Sequence, residues 1–304
     1  MTFARAPGKL VLSGAYAVLS GAPALVVAVD RYVLADGARP ATFLTPEVKA
    51  ALGERQAPWF DASPLREGDK KLGLGSSAAI LVASLAALEL AQDGSLSDDA
   101  LCQRVYQRAF DAHRVAQGGG SGVDVAASAH GGVLGARRTA HGSLELSRLT
   151  LPRGLVFEVW ACSAAASTSA FLARITEFAA RDAARHARCI AAQAEAAEAA
   201  LDAAERGASA DFVASIARQV TTLSDLGEAA GVSIVTIELA ELARLATVHG
   251  AAFLPAGAGG GDVAYWVGSA APPSTFRNRA RELGLSPVEL KLGARGVHAL
   301  SVVG

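Results

Sequence analysis

Three glycine-rich stretches hold most of the residues whose types and spacing suit chemistry. The first is KLGLGSSAA, residues 71–79, where a lysine, two glycines and two hydroxyls stand directly ahead of an apolar run. Gly73 and Gly75 weaken any regular element, because glycine loses more backbone freedom on folding than other residues. The run that follows, AAILVASLAALELA, is strong helix sequence. The loop therefore sits at a helix N-terminus, where unpaired N–H groups and the helix dipole favour an anion. Two readings stand side by side: Ser76 or Ser77 is a simple cap for the first turn, or the turn receives phosphate.

The second stretch is QGGGSGVDVAASAHGG, residues 117–132, in which Asp124 is the carboxylate, and the third is PAGAGGGDVAYWVG, residues 255–268. Asp124 is read either as a loop cap or as a working carboxylate. Asp262 is read as a loop residue, and His113 as a partly buried helix histidine. Backbone N–H groups in such loops form anion-binding concavities, which suits a triphosphate. Neither GxxxxGK[ST] nor a strand followed by GxGxxG is present, so the P-loop and dinucleotide-binding patterns both fail on spacing. Lysine is rare: the chain has 28 basic residues, and only Lys9, Lys49, Lys70, Lys71 and Lys291 are lysines. Lys9 follows Gly8 and Lys71 precedes Gly73. Each is either a solvated cation or a compact point charge for phosphate.

These loops need rigid mountings. Strands are expected at 9–12, 24–29 and 31–35, then a loop-rich connection with a short helix across 38–70. Helices follow over 76–93 and 97–117, and strands over 133–137 and 155–162. Phe171, Leu172, Ile175 and Phe178 open an alanine-rich region, 169–206, that reads as one long amphipathic helix. Helices at 209–229, 236–249 and 273–283, a strand that the 255–268 stretch runs into, and strands at 287–291 and 297–303 complete the chain. The whole is α+β in two lobes. Pro152 and Gly154 suggest a boundary that divides it into 1–152 and 153–304.

Composition narrows the function. The 304 residues are 51% hydrophobic with a net charge of −1. That balance, without long like-charge runs, argues against nucleic acid or an anionic membrane as partner. No span is apolar enough to cross a membrane, and residues 1–10 lack a signal peptide's apolar stretch, so a cytoplasmic location is expected. Cys102, Cys162 and Cys189 are scattered, which points to no disulfide framework and no metal site of their own.

Together the three stretches resemble the GHMP small-molecule kinase superfamily. APGKLVLSGAYAVLSGAPAL, residues 6–25, is similar to its first motif, KLGLGSSAA to its second and PAGAGGGDVA to its third. The likeness covers almost the whole chain and is nearest to phosphomevalonate kinases. It rests on Lys71 before the loop, AHRVAQGGGSGVDVAASAHGG at 112–132, CSAAASTSAFL at 162–172 and LGEAAGVSIVTIELAELA at 226–243. The implied fold has an N-terminal mixed α/β (ribosomal S5-like) lobe and a C-terminal ferredoxin-like lobe with extra helices.

The resemblance also implies roles. ATP phosphates would be held by Lys71, Gly73, Leu74, Gly75, Ser76, Ser77 and Ala78, with the Ser77 hydroxyl on Mg2+. Lys9 and Asp124 would be catalytic. Ser121, Gly122, Ser167, Thr168, Gly257, Gly259, Gly260 and Gly261 would meet a small-molecule acceptor. The implied reaction converts 5-phosphomevalonate to its diphosphate, in a monomer or homodimer. Ala15, the all-glycine run 118–120, Leu254 and Ala256 depart from the family's charged or polar residues at those places. Mevalonate or another small alcohol is the alternative acceptor, and a nucleotide-binding protein without turnover is the non-enzyme alternative.

Overall fold

Strand β1, Phe3–Ser13, is the mounting on which Lys9 sits, and all but two of its residues are buried. The computed structural model describes residues 3–68, 70–163 and 168–300, with the backbone alone at 168 and 169. After β1 come a 3-10 turn at Ala17–Ser20 and β2, Pro23–Pro40. Helix α1, Pro46–Leu52, then leads to β3, Pro58–Asp61, and the two-residue strands β4, Arg66–Glu67, and β5, Lys70–Lys71. Helices α2, Ser76–Gln92, α3, Asp98–Ala116, and α4, Val123–His130, follow in succession. Next are β6, Val133–Arg138, β7, Leu144–Leu149, and β8, Val156–Ala161. Four helices follow: α5, Thr168–Arg181, α6, Ala183–Arg206, α7, Ser209–Ala230, and α8, Ile237–Val248. The last elements are β9, Ala252–Pro255, β10, Val263–Gly268, α9, Ser274–Glu282, β11, Ser286–Val288, and β12, His298–Ala299.

The fold is α+β, as expected. The chain divides into two units that interleave in sequence rather than follow one another. The first comprises Met1–Leu10, Val26–Leu134 and Leu290–Gly304, and the second Val11–Leu25 and Gly135–Glu289.

In the first unit β12, β1 and β2 lie side by side in that order, and β3 also pairs with β2. Helix α2 is hydrophobic on every side, so it is a buried core helix rather than an amphipathic surface one. It packs against α1, α3 and α4. The two strands expected at 24–29 and 31–35 are one continuous strand. Asp30 does not interrupt it, because its backbone N–H bonds Lys291 O at 3.1 Å while its Oδ1 accepts from Lys291 N at 2.6 Å.

In the second unit the antiparallel order is β11-β8-β10-β9. Its core is aromatic: Trp266 and Phe253 meet Phe276 edge-on at 4.7 and 5.2 Å, over Leu239 and Leu242 of α8. The single helix expected across 169–206 is two. Asp182 breaks it, because its side chain accepts from Arg185 N at 2.9 Å and caps α6, offering the backbone an alternative to continuing α5. Helix α4 and strands β7 and β9 form where no regular element was expected.

Candidate active site

Lys9 is fixed at both ends. Its backbone N–H donates to Leu74 O at 2.9 Å, and its residue is only 7% exposed. Its Nζ lies 3.5 Å from Gly73 O and 3.5 Å from Asp124 Oδ2. The strand comes this close to the loop because Gly8 has no side chain: a Cβ there would meet Leu65 Cδ2 at 2.8 Å and Leu74 O at 2.9 Å. Gly75 serves the same end, since its Cβ would sit 2.8 Å from Lys9 Cε. The loop glycines thus make room for the lysine itself.

Two helix N-termini flank this cation. Helix α2 starts after Gly75 (φ +73°) and α4 after Gly122 (φ +77°), both left-handed, and neither helix has a side-chain cap. In α1, α3, α6 and α8, by contrast, Thr45, Ser97, Asp182 and Thr236 cap the first turn. Ser76 and Ser77 are the first two residues of α2 rather than its cap, so the simple capping reading fails. Asp124 likewise lies inside the first turn of α4, pointing at Lys9 instead of closing its own helix. Four residues on, Ser128 Oγ donates to Pro7 O at 2.8 Å. That spacing puts Asp124 and Ser128 on one face of α4, and Ser128 ties this face to the strand two residues before Lys9. Gly122 packs against Phe110, whose ring a Cβ would meet at 2.1 Å.

This arrangement fits a polyphosphate. The available donors are amide N–H groups at two glycine-led helix starts (of which Val123 N is taken by Ser121 Oγ at 3.5 Å), the Ser76 and Ser77 hydroxyls and the Lys9 ammonium, all suited to anionic oxygen. Among the described residues no group of three or more His, Cys, Asp or Glu side chains could hold a metal. The Ser77 hydroxyl, in the first turn of α2, is a protein oxygen that could take one position of a magnesium ion held mainly through phosphate oxygens.

In the second unit the third glycine stretch is a packed turn. Tyr16 Oη donates to Ala258 O at 2.5 Å, Gly257 N to Val11 O at 3.3 Å and Gly260 N to Ile234 O at 2.7 Å. A Cβ on Gly259 would lie 2.4 Å from Ile234 O, and one on Gly260 would lie 2.3 Å from Phe171 Cζ. Asp262 is left-handed (φ 53°), and its carbonyl accepts from Cys162 N at 2.8 Å.

Residues 64–132, which contain the 71–78 loop and Asp124, match the family model for the GHMP kinases N terminal domain. Two solved structures superpose over nearly the full length. One is the Lin0012 protein from Listeria innocua, with TM-score 0.82, 23% identity, and 97% of this chain and 99% of that chain covered. The other is Streptococcus pneumoniae phosphomevalonate kinase in complex with phosphomevalonate and AMPPNP, with TM-score 0.77, 20% identity, and 96% and 100% covered. The chain has the GHMP kinase fold. By sequence, the phosphomevalonate kinase of Streptomyces sp. (strain CL190) is 28% identical across 96% of this chain and 97% of its own.

Within this GHMP kinase fold the expected residues divide clearly. Lys9, Gly73, Gly75 and Asp124 come together in the first unit, with Ser76 and Ser77 opening α2 beside them. Leu74 and Ala78 bury their side chains, leaving only backbone groups for a ligand. Lys71 is exposed at the end of β5, and Ser121 Oγ accepts from Val123 N at 3.5 Å. Ser167 and the side chain of Thr168 lie outside the described residues. His113 is buried on α3, as read from the sequence. Ser128, Phe110 and Tyr16 contact these loops or the strand of Lys9 in ways that the sequence reading passed over. Only Ser128 carried a signal, its spacing of four from Asp124.

Proposed function

We propose that this chain is an ATP- and magnesium-dependent phosphotransferase that converts 5-phosphomevalonate to 5-diphosphomevalonate. The observation that carries it is the Lys9–Asp124 pair, set between two glycine-led helix N-termini without side-chain caps. The choice of acceptor is supported by the full-length likeness to a phosphomevalonate kinase and by a solved fold relative crystallised with phosphomevalonate and AMPPNP.

Phosphoryl transfer asks a protein mainly for positioning and electrostatic stabilisation. When bound, magnesium-ATP supplies the transferable γ-phosphoryl group and part of the charge neutralisation. The α2 amides and the Ser76 and Ser77 hydroxyls hold the donor's phosphate oxygens. Lys9 places positive charge where donor and acceptor oxygens converge. Asp124 aligns the attacking oxygen of the acceptor and takes its proton when the acceptor arrives as a monoanion. Near neutral pH a phosphate monoester is mostly dianionic, so alignment is the larger part of that task.

The test is ADP release over mevalonate, 5-phosphomevalonate, 5-diphosphomevalonate, homoserine and galactose. Turnover with 5-phosphomevalonate, without carbon dioxide release, is the expected result. Activity on galactose or homoserine alone would overturn the assignment, and activity on mevalonate alone would make the chain a mevalonate kinase.

A further inference from the structure

Glu47, on α1, is a buried carboxylate that neither Lys9 nor the 71–78 loop uses. It is 3% exposed, its Oε2 is buried without a hydrogen-bond partner, and its Oε1 accepts from Gln117 Nε2 at 2.7 Å. Burying a carboxylate with one oxygen unsatisfied is costly, and an apolar residue would serve the packing of α1 on α3 better. The hydrogen bond it makes crosses 70 positions of sequence to one particular residue. Gln117 is the C-cap of α3 and the last side chain before Gly118, Gly119 and Gly120.

Those three glycines have φ of +64°, +132° and +91°, and a Cβ at any of them would meet nothing within 4 Å. Packing therefore does not hold this run. Its far end is anchored by Gly122 against Phe110, and Asp124 follows two residues later beside Lys9. The near end is tied to α3 by Gly118 N donating to Val115 O at 3.3 Å and Gly119 N to Arg114 O at 2.9 Å, and the Gln117 side chain adds the link to Glu47.

We infer that Glu47 is a positioning residue, which latches Gln117 so that the 118–122 run delivers Asp124 to the transferred phosphoryl group. This rests on the reading of Asp124 as catalytic. The latch acts through geometry: small displacements of a reacting group cost large factors in rate, whereas the α2 loop that holds ATP does not depend on it.

The test uses Gln117→Ala, Glu47→Ala, Gln117→Glu and the exchange Glu47→Gln/Gln117→Glu in the full chain. Gln117 is an exposed residue, so its variants keep the fold even where Glu47→Ala loses it. Gln117→Ala is expected to lower kcat about tenfold with the KM for ATP within about twofold of the parent. It should also speed hydrogen exchange at amides 118–124. Gln117→Glu sets two carboxylates against each other and should be worse, while the exchange pair restores the bond with donor and acceptor reversed and recovers most of the loss. Parent-like kcat and exchange in Gln117→Ala, or no recovery in the exchange pair, would overturn the latch. Failure of the underlying reading looks different, because then Asp124→Asn itself turns over at the parental rate.

Discussion

The aliphatic chain of Lys9 runs directly over Gly75, so closely that a single added carbon at 75 would overlap Lys9 Cε and Cγ at 2.8 and 2.9 Å. The loop glycine and the cation are one fitted pair. Gly75→Ala must both adopt a left-handed conformation, costing about 1 kcal/mol, and push the lysine aside. The expected result is a kcat at least about tenfold lower with a stability loss of about 1–2 kcal/mol, read by steady-state kinetics beside a urea melt.

Asp124→Asn and Lys9→Ala are each expected to lower kcat by roughly 10² with little change in ATP affinity, the usual scale for a positioned acid–base group. The double variant should lose less than the product of the singles, since the two groups lie 3.5 Å apart and act as a unit. Parental kcat in a folded Asp124→Asn protein would reduce the aspartate to a structural partner of Lys9.

Ser77→Ala should leave the fold intact, because Ser77 is not the cap of α2. The hydroxyl is worth about one hydrogen bond, so kcat/KM for magnesium-ATP is expected to fall roughly fivefold to tenfold. Titrating magnesium at fixed ATP separates this loss from one at the acceptor.

Gly260→Ala tests whether the third glycine stretch is shaped by its own packing. The added carbon meets Phe171 in a left-handed backbone (φ +74°), so destabilisation of about 1–3 kcal/mol is expected in chemical unfolding. A raised acceptor KM with unchanged stability would instead favour direct approach of this backbone to the substrate.

Acid should destabilise the protein through His298 on β12, whose ring meets Tyr32 of β2 edge-on. Burial, reinforced by Arg295 and Arg5 and partly offset by the Gly296 carbonyl and Asp98, holds its imidazole below the ordinary value of 6.5. Below that value the unfolded chain binds a proton that the folded chain resists, so stability is full above about pH 6.5 and declines on acidification. Between pH 7.5 and 5, His298→Gln should lose less of its urea midpoint than the parent. Parallel loss in both proteins would remove His298 from the account.

Much of this was legible in the sequence because it is local. The helices from 76 and 97 follow from alanine-rich or amphipathic periodicity, and the loop at 71–78 from glycines and hydroxyls ahead of an apolar run. The pairing of Lys9 with Asp124 was reachable only through family likeness, since no local pattern links positions 115 residues apart. What stayed hidden is what each glycine touches. Gly75, Gly122 and Gly260 look alike in sequence, yet one clears a lysine and the other two clear aromatic rings. The break at Asp182 was hidden for a related reason: helix propensity on both sides outweighed a single capping side chain until its bond to Arg185 could be seen.

Strand β12 has a consequence for the timing of synthesis. Ala299 and His298 pair with Ala4 and Arg5, a few residues before Lys9 on the same strand. The strand that carries the lysine therefore completes its pairing only with residues almost 300 positions later in the chain. At ordinary translation rates of 5–20 residues per second, roughly 15–60 s separate the two partners. During that interval β1 is an open edge, exposed to chaperones and to other nascent chains. The proposed phosphate site thus matures only once residues 298–299 have been made, and an N-terminal fragment ending at residue 290 should bind ATP poorly even with every loop residue present.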